Sequence, residues 1–160
     1  MRRHTPARPF RSVLVYGDAD FSYSFDLARY SSTLTTGSGP PRLVATAYDA
    51  LPVASAKYAS LPYASKVEKL RTLSKKQSKK RKRSSGAPVR KPVDVKVLMG
   101  VDALDPLRTL GSDAPATPEE GFDTVIFNHP HLGKEDFRAH ARFLAHFFAA
   151  VKGVLTEGGR

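Results

Sequence analysis

Four short apolar runs, each stopping at a small, acidic or amide residue, set the limits on what this chain folds into. Val13 to Tyr16 stops at Gly17-Asp18, and Leu43 to Tyr48 stops at Asp49. Val93, Val95, Val97 and Leu98 lead to Gly100-Val101-Asp102, and Phe122 to Asn128 runs into His129-Pro130-His131. Unbroken apolarity is what a strand covered on both faces needs. Between the runs the spacing turns helical. Phe21, Phe25, Leu27 and Ala28 share one face of a helix that Asp18 or Asp20 would cap. Leu51 to Leu61 reads as a second helix. Val67, Leu70 and Leu73 form a short third one beyond Pro62. Phe137, Ala141, Leu144, Phe148 and Val151 mark a fourth, ending at Lys152-Gly153, with Phe147 beside Phe148 as core. Strands alternating with helices predict an α/β fold, a mostly parallel sheet with right-handed crossovers and flanking helices. The chain stops at Gly158-Gly159, where a further strand would begin, so the reading is a domain with its C-terminal strands missing.

At 160 residues the chain carries one domain, placed at residues 12–160 behind a disordered basic stretch, 1–11. With no cysteine, a disulfide, a thiolate metal site and a cysteine nucleophile are all excluded. No apolar run approaches the ~18 residues of a membrane span, so the expectation is a soluble intracellular monomer with no membrane partner. The formal net charge is +11, and its location decides its meaning. Twelve Lys and Arg lie between Lys66 and Lys91 against one acid, Glu68, and the remainder of the chain is neutral. Nine of these basic residues lie in an insert, residues 74–92, which is expected to be disordered because it has no apolar residue before Ala87. Lys75, Lys76, Lys79, Lys80, Arg81, Lys82 and Arg83 make it a candidate RNA contact or a nuclear address read by the import machinery. Ser31 to Pro41 and Gly111 to Gly121 read as loops.

In open α/β sheets, ligands meet the carboxyl ends of the strands. The four run ends are therefore the candidate site. Gly17 permits close backbone approach, Asp49 suits a ribose, Asp102 an exocyclic amine, and Asn128 a planar substrate. Helix capping is the competing role for Asp49, Asp102 and Asp105. His129 and His131 flank Pro130, but no third ligand stands at metal-site spacing, so no metal is expected. His140 and His146 read as surface or packing residues.

Taken together, Val-Leu-Val-Tyr-Gly-Asp-Ala-Asp-Phe-Ser-Tyr-Ser (13–24), Ala-Thr-Ala-Tyr-Asp (45–49), Gly-Val-Asp-Ala (100–103), Phe-Asp-Thr-Val-Ile-Phe-Asn-His-Pro-His-Leu-Gly (122–133) and Phe-Leu-Ala-His-Phe-Phe (143–148) resemble one family. It is the eukaryotic large-subunit rRNA uridine-N3 methyltransferase family, whose domain also occurs in ferredoxin-fold anticodon-binding-domain proteins. The resemblance implies a Rossmann-like fold using S-adenosylmethionine. It implies rRNA base methylation in ribosome biogenesis, on large-subunit rRNA or a pre-ribosomal particle, in the nucleus and nucleolus. By position it puts Gly17, Asp18, Ala19, Asp20 and Phe21 in the cofactor loop, Asp49 at the ribose and Asp102 near the adenine. Asn128, His129, Pro130 and His131 match the substrate-side motif, with His131 ahead of His129 as the base. Ala19 stands where the family commonly has glycine, which requires a negative φ there, and His140 stands where asparagine is frequent. Two rivals remain: a nicotinamide-dependent Rossmann enzyme, which lacks its second and third glycines here, and a non-catalytic RNA-binding or ribosome-assembly factor.

Overall fold

The structure is a computed structural model that describes residues 11–29, 41–80, 93–130 and 135–160, with backbone alone for 74–80. Four strands, β1 (Ser12–Tyr16), β2 (Arg42–Ala47), β3 (Asp94–Met99) and β4 (Thr124–Phe127), form one sheet in the order β3-β2-β1-β4. Every pairing is parallel, with Val13 opposite both Leu43 and Thr124, and Arg42 opposite Asp94. The expected α/β architecture is present, and it is Rossmann-like.

β1 is apolar without a break from Val13 to Tyr16 because both faces are covered. Val13 and Val15 of β1 point into a layer made by α1 (Ser22–Arg29), α2 (Leu51–Lys57) and α3 (Tyr63–Lys80), through Ala28, Ala54, Val67 and Leu70. Leu14 and Tyr16 point the other way, toward Leu110 after α4 (Pro106–Thr109), and toward Phe147 and Val151 of α5 (Phe137–Val151). The alternation along β1 is the two-residue period of a strand, buried on both sides. Leu14 is 0% exposed, so truncating it to alanine costs about 2–5 kcal/mol.

The amino ends of the strands are tied by charge. Asp123 Oδ2 accepts from the backbone N–H groups of Arg11 (2.7 Å) and Ser12 (2.9 Å), so Arg11 is anchored rather than part of a loose terminus. Asp113 pairs with Arg42 and Lys96, and the Arg42 guanidinium lies 4.9 Å from the centre of the Phe122 ring. This end is a polar clamp, and the opposite end is left for a ligand. The last residues run beside β4, with Arg160 N–H donating to Asp123 O and Val125 N–H to Arg160 O.

Two helices differ from expectation. α2 stops at Lys57, and α3 continues to Lys80, seven residues into the stretch expected to be disordered. Lys and Gln are good helix formers, and they extend a helix already anchored by Val67 and Leu70. Residues 81–92 and 1–10, the rest of the two stretches expected to be disordered, lie outside the described residues. In α5 Phe147 and Val151 are buried, and Phe143 on the same stripe is half-buried. Phe137 is 87% and Phe148 63% exposed, although the helical spacing puts both on one apolar face and the sequence reads Phe148 as core. Beside Arg138, His140, Arg142 and His146 the helix still carries apolar residues on more than one stripe, so periodicity admits two, and packing against Tyr16 and Phe127 selects one.

Candidate functional site

β1 ends at a turn whose shape depends on one glycine. Gly17 has φ +66, and a Cβ there would lie 2.6 Å from a ring carbon of Phe127. Asp18 follows, 3% exposed, and its carboxylate accepts from Ser24 N–H at 2.6 Å and Tyr23 N–H at 3.4 Å. The first N–H groups of α1 are thus already satisfied by an internal anion. Ala19 is exposed and keeps a negative φ, so the turn accommodates its methyl group. Among the described non-glycine residues only Phe21 has positive φ, at +60. That conformation costs about 1–2 kcal/mol, and it is offset by burial of the ring, 1% exposed and 5.8 Å from Tyr63. Phe21 therefore shapes the turn from the core and does not touch the cavity. Asp20 also faces away, bonded to Ser22 and Lys66. Desolvation raises its carboxyl pKa, but the bonds from Lys66 and Ser22 outweigh this together and hold it at about 2.

At the end of β2, Asp49 is free of the capping role. The N-cap of α2 is Ala50, which makes no side-chain cap bond, and the Asp49 carboxylate faces Lys57 Nζ at 3.2 Å. Tyr58 and Tyr63 stack beside it, ring centres 5.6 Å apart and 13° from parallel. Burial, reinforced by the negative charge of Tyr58, Asp49, Asp18 and Asp20 around it, pushes the Tyr63 hydroxyl up to about 12. At the end of β3, Asp102 Oδ1 accepts from Leu104 N–H at 2.8 Å, an Asx turn rather than a helix cap. Asp105 takes the N-cap of α4 with no cap bond and pairs with Arg108. Burial raises the Tyr16 hydroxyl pKa, and the charge of Asp102 adds to the effect.

At the end of β4, Asn128 N–H donates to Tyr16 O at 2.9 Å, continuing the ladder by one residue. His129 is exposed, and His140 Nε2–H donates to Pro130 O at 3.1 Å, fastening the loop to α5. His131 lies outside the described residues.

These four ends enclose a cavity of about 790 Å³. It brings together Gly17, Asp18, Ala19, Asp49, Asp102 and His129 of the expected site, and leaves Asp20, Phe21, Asn128 and Pro130 off its walls. Three carboxylates stand against one ammonium, Lys57, so the lining favours a cation. Tyr48, Tyr58, Tyr63, Phe127 and Phe143 also line it. Tyr48 and Phe127 close apolar runs and were readable as strand ends. Tyr63 and Phe143 arrive from helices, and no spacing in the sequence ties them to the turn. Lys75, Lys76, Lys79 and Lys80 are on the far part of α3, about 18–26 Å along the axis from Tyr63. Arg81, Lys82 and Arg83 lie outside the described residues. Among the described residues no three His, Asp or Glu side chains group as a metal site, and no helix is long and apolar enough to cross a membrane.

A family model described as rRNA (uridine-N3-)-methyltransferase BTM5-like matches residues 14–160. No curated protein and no solved structure matches the chain.

Proposed function

The chain belongs to the rRNA (uridine-N3-)-methyltransferase BTM5-like family, and from that premise we propose that it methylates N3 of a uridine in large-subunit rRNA with S-adenosylmethionine. The observation that supports this cofactor is the acidic cavity behind an occupied helix end. A dinucleotide pyrophosphate would need the free N–H groups of α1, and Asp18 already holds two of them. A sulfonium cation instead suits a cavity with three carboxylates. The backbone of Gly17 to Ala19 would border the methionine part, Asp49 would accept from the ribose hydroxyls, and Asp102 would lie near the adenine.

When bound, the cofactor supplies an electrophilic methyl carbon. The remaining work falls to this chain. Uridine N3 is protonated at neutral pH, so its proton must be taken as the new N–C bond forms and the C–S bond breaks. In this reading an imidazole of the His129-Pro130-His131 run receives the proton, and His129 is the one that lies within the described residues, at the cavity wall. Asn128 orients a uracil carbonyl after a side-chain rearrangement toward the cavity. The reacting edge is the Watson–Crick edge, so the substrate is a single-stranded or splayed-out nucleotide. The basic part of α3 and the residues after it serve as RNA contact and nuclear address, which fits a monomer acting in the nucleolus on pre-ribosomal RNA.

Calorimetric titration with S-adenosylmethionine tests the cofactor assignment. Wild-type protein binds, and Asp49→Ala loses binding at least tenfold while its far-ultraviolet circular dichroism is unchanged. Absence of binding by the wild type refutes the methyltransferase reading and favours an assembly factor. Asn128→Ala, His129→Ala and His131→Ala then identify the substrate side, since each true participant loses methyl transfer and retains cofactor binding.

A further inference from the structure

The cavity has two chemically different sides. Asp49, Lys57 and Asp102 make one side charged, with Tyr48, Tyr58 and Tyr63 among them, whereas Tyr16, Phe127 and Phe143 make the side toward β4 and α5 aromatic and uncharged, with His129 next to it. Phe127 is the fixed part of the aromatic side. Its ring lies against the backbone of Gly17, 4.8 Å from Phe147 and 6.1 Å from Tyr16, centre to centre. Phe143 meets Phe127 edge to face at 5.5 Å and is half-buried, so part of its surface is left for a ligand. A rigid ring supporting a partly open one is a platform for a flat, uncharged group. The charged cofactor has its counter-charges on the other side, and uracil is the flat, uncharged reactant.

We propose that Phe143, backed by Phe127, is the surface on which the acceptor pyrimidine stacks, placing its edge beside His129. This rests on the methyltransferase reading given above. Phe143 is then a binding determinant for the base and has no part in holding the cofactor. Base stacking on an aromatic side chain is worth a loss of about 5- to 150-fold when the ring is removed.

The test uses the whole chain with Phe143→Leu, which keeps apolar bulk, and Phe143→Tyr, which keeps the ring. With saturating S-adenosylmethionine and a single-stranded oligouridylate, Phe143→Leu lowers kcat/KM within that range and Phe143→Tyr restores it. The dissociation constant for S-adenosylmethionine stays at the wild-type value in both. An unchanged kcat/KM in Phe143→Leu overturns the proposal. So does a matching loss of cofactor affinity, which would make Phe143 a cofactor contact. A second arm needs no turnover: protein saturated with S-adenosylhomocysteine is titrated with oligouridylate and with an abasic oligomer of equal length. The base-dependent gain in affinity is present in the wild type and absent in Phe143→Leu. Should the wild type show that gain and yet methylate no uridine, the reaction assignment fails and the stacking surface stands. Should it show no gain, the stacking proposal fails.

Discussion

Gly17 and Gly100 share a backbone conformation and differ in their surroundings, which makes alanine at each an experiment on one variable. Their φ angles are +66 and +73. At both positions an L-residue costs about 1–2 kcal/mol, reduced by about 0.4–1 kcal/mol because alanine stiffens the unfolded chain. At Gly100 nothing lies within 4 Å of the added Cβ, so the net loss there is about 1 kcal/mol. At Gly17 the same carbon would sit 2.6 and 2.7 Å from two carbons of the Phe127 ring and 3.2 Å from His129 N. The ring cannot retreat freely, since Tyr16, Phe143 and Phe147 surround it. Overpacking of this kind adds about 1–3 kcal/mol, bringing Gly17→Ala to about 2–4 kcal/mol. Urea unfolding followed by circular dichroism measures both variants, with equal m-values as the check on two-state behaviour. In a Phe127→Leu background most of the steric part disappears, leaving the approach to His129 N, and the cost of Gly17→Ala falls toward that of Gly100→Ala. Equal midpoints for the two single variants would refute the reasoning.

Two further outcomes follow from the charges. The Asp20 carboxyl is depressed from 3.8 to about 2, so its contribution is present above its ordinary value and disappears as pH falls through the depressed one. Wild type and Lys66→Met therefore differ by a constant margin near neutrality and converge between about pH 4 and pH 2, measured by urea midpoints across that range. Replacing Lys75, Lys76, Lys79 and Lys80 with glutamine keeps helix propensity and flattens the salt dependence of binding to single-stranded RNA by up to about 3 log units per log of salt concentration. Fluorescence anisotropy at several salt concentrations reads the slope, and an unchanged slope removes these lysines from the RNA contact.

The strands were legible because burial on both faces forbids interruption, and β1 and β2 obey that rule residue by residue. Their ends were legible as well, since each closes on a glycine, an acid or an amide. The family named from the Gly-Asp-x-Asp-Phe-Ser and Phe-Asn-x-Pro-His-x-Gly blocks is the one that matches residues 14–160. What escaped the sequence was direction. Asp18, Asp20 and Phe21 are consecutive polar and aromatic neighbours in a motif, and only folding sends Asp18 to the helix end, Asp20 to Lys66 and Phe21 to the core. Phe147 and Phe148 are likewise adjacent, and one is buried while the other faces solvent. The Tyr58–Tyr63 stack depends on how α2 stops and α3 starts, which composition does not encode.

The contact between Gly17 and Phe127 gives the site a property that neither residue has alone. The turn belongs to the side that would hold the cofactor, and the ring to the side that would receive the base. With no Cβ between them, a displacement of one is passed directly to the other. In the proposed reading, an occupant that shifts the turn would shift the ring with it. Thermodynamic linkage then returns any effect of the cofactor on base binding in equal size as an effect of the base on cofactor binding.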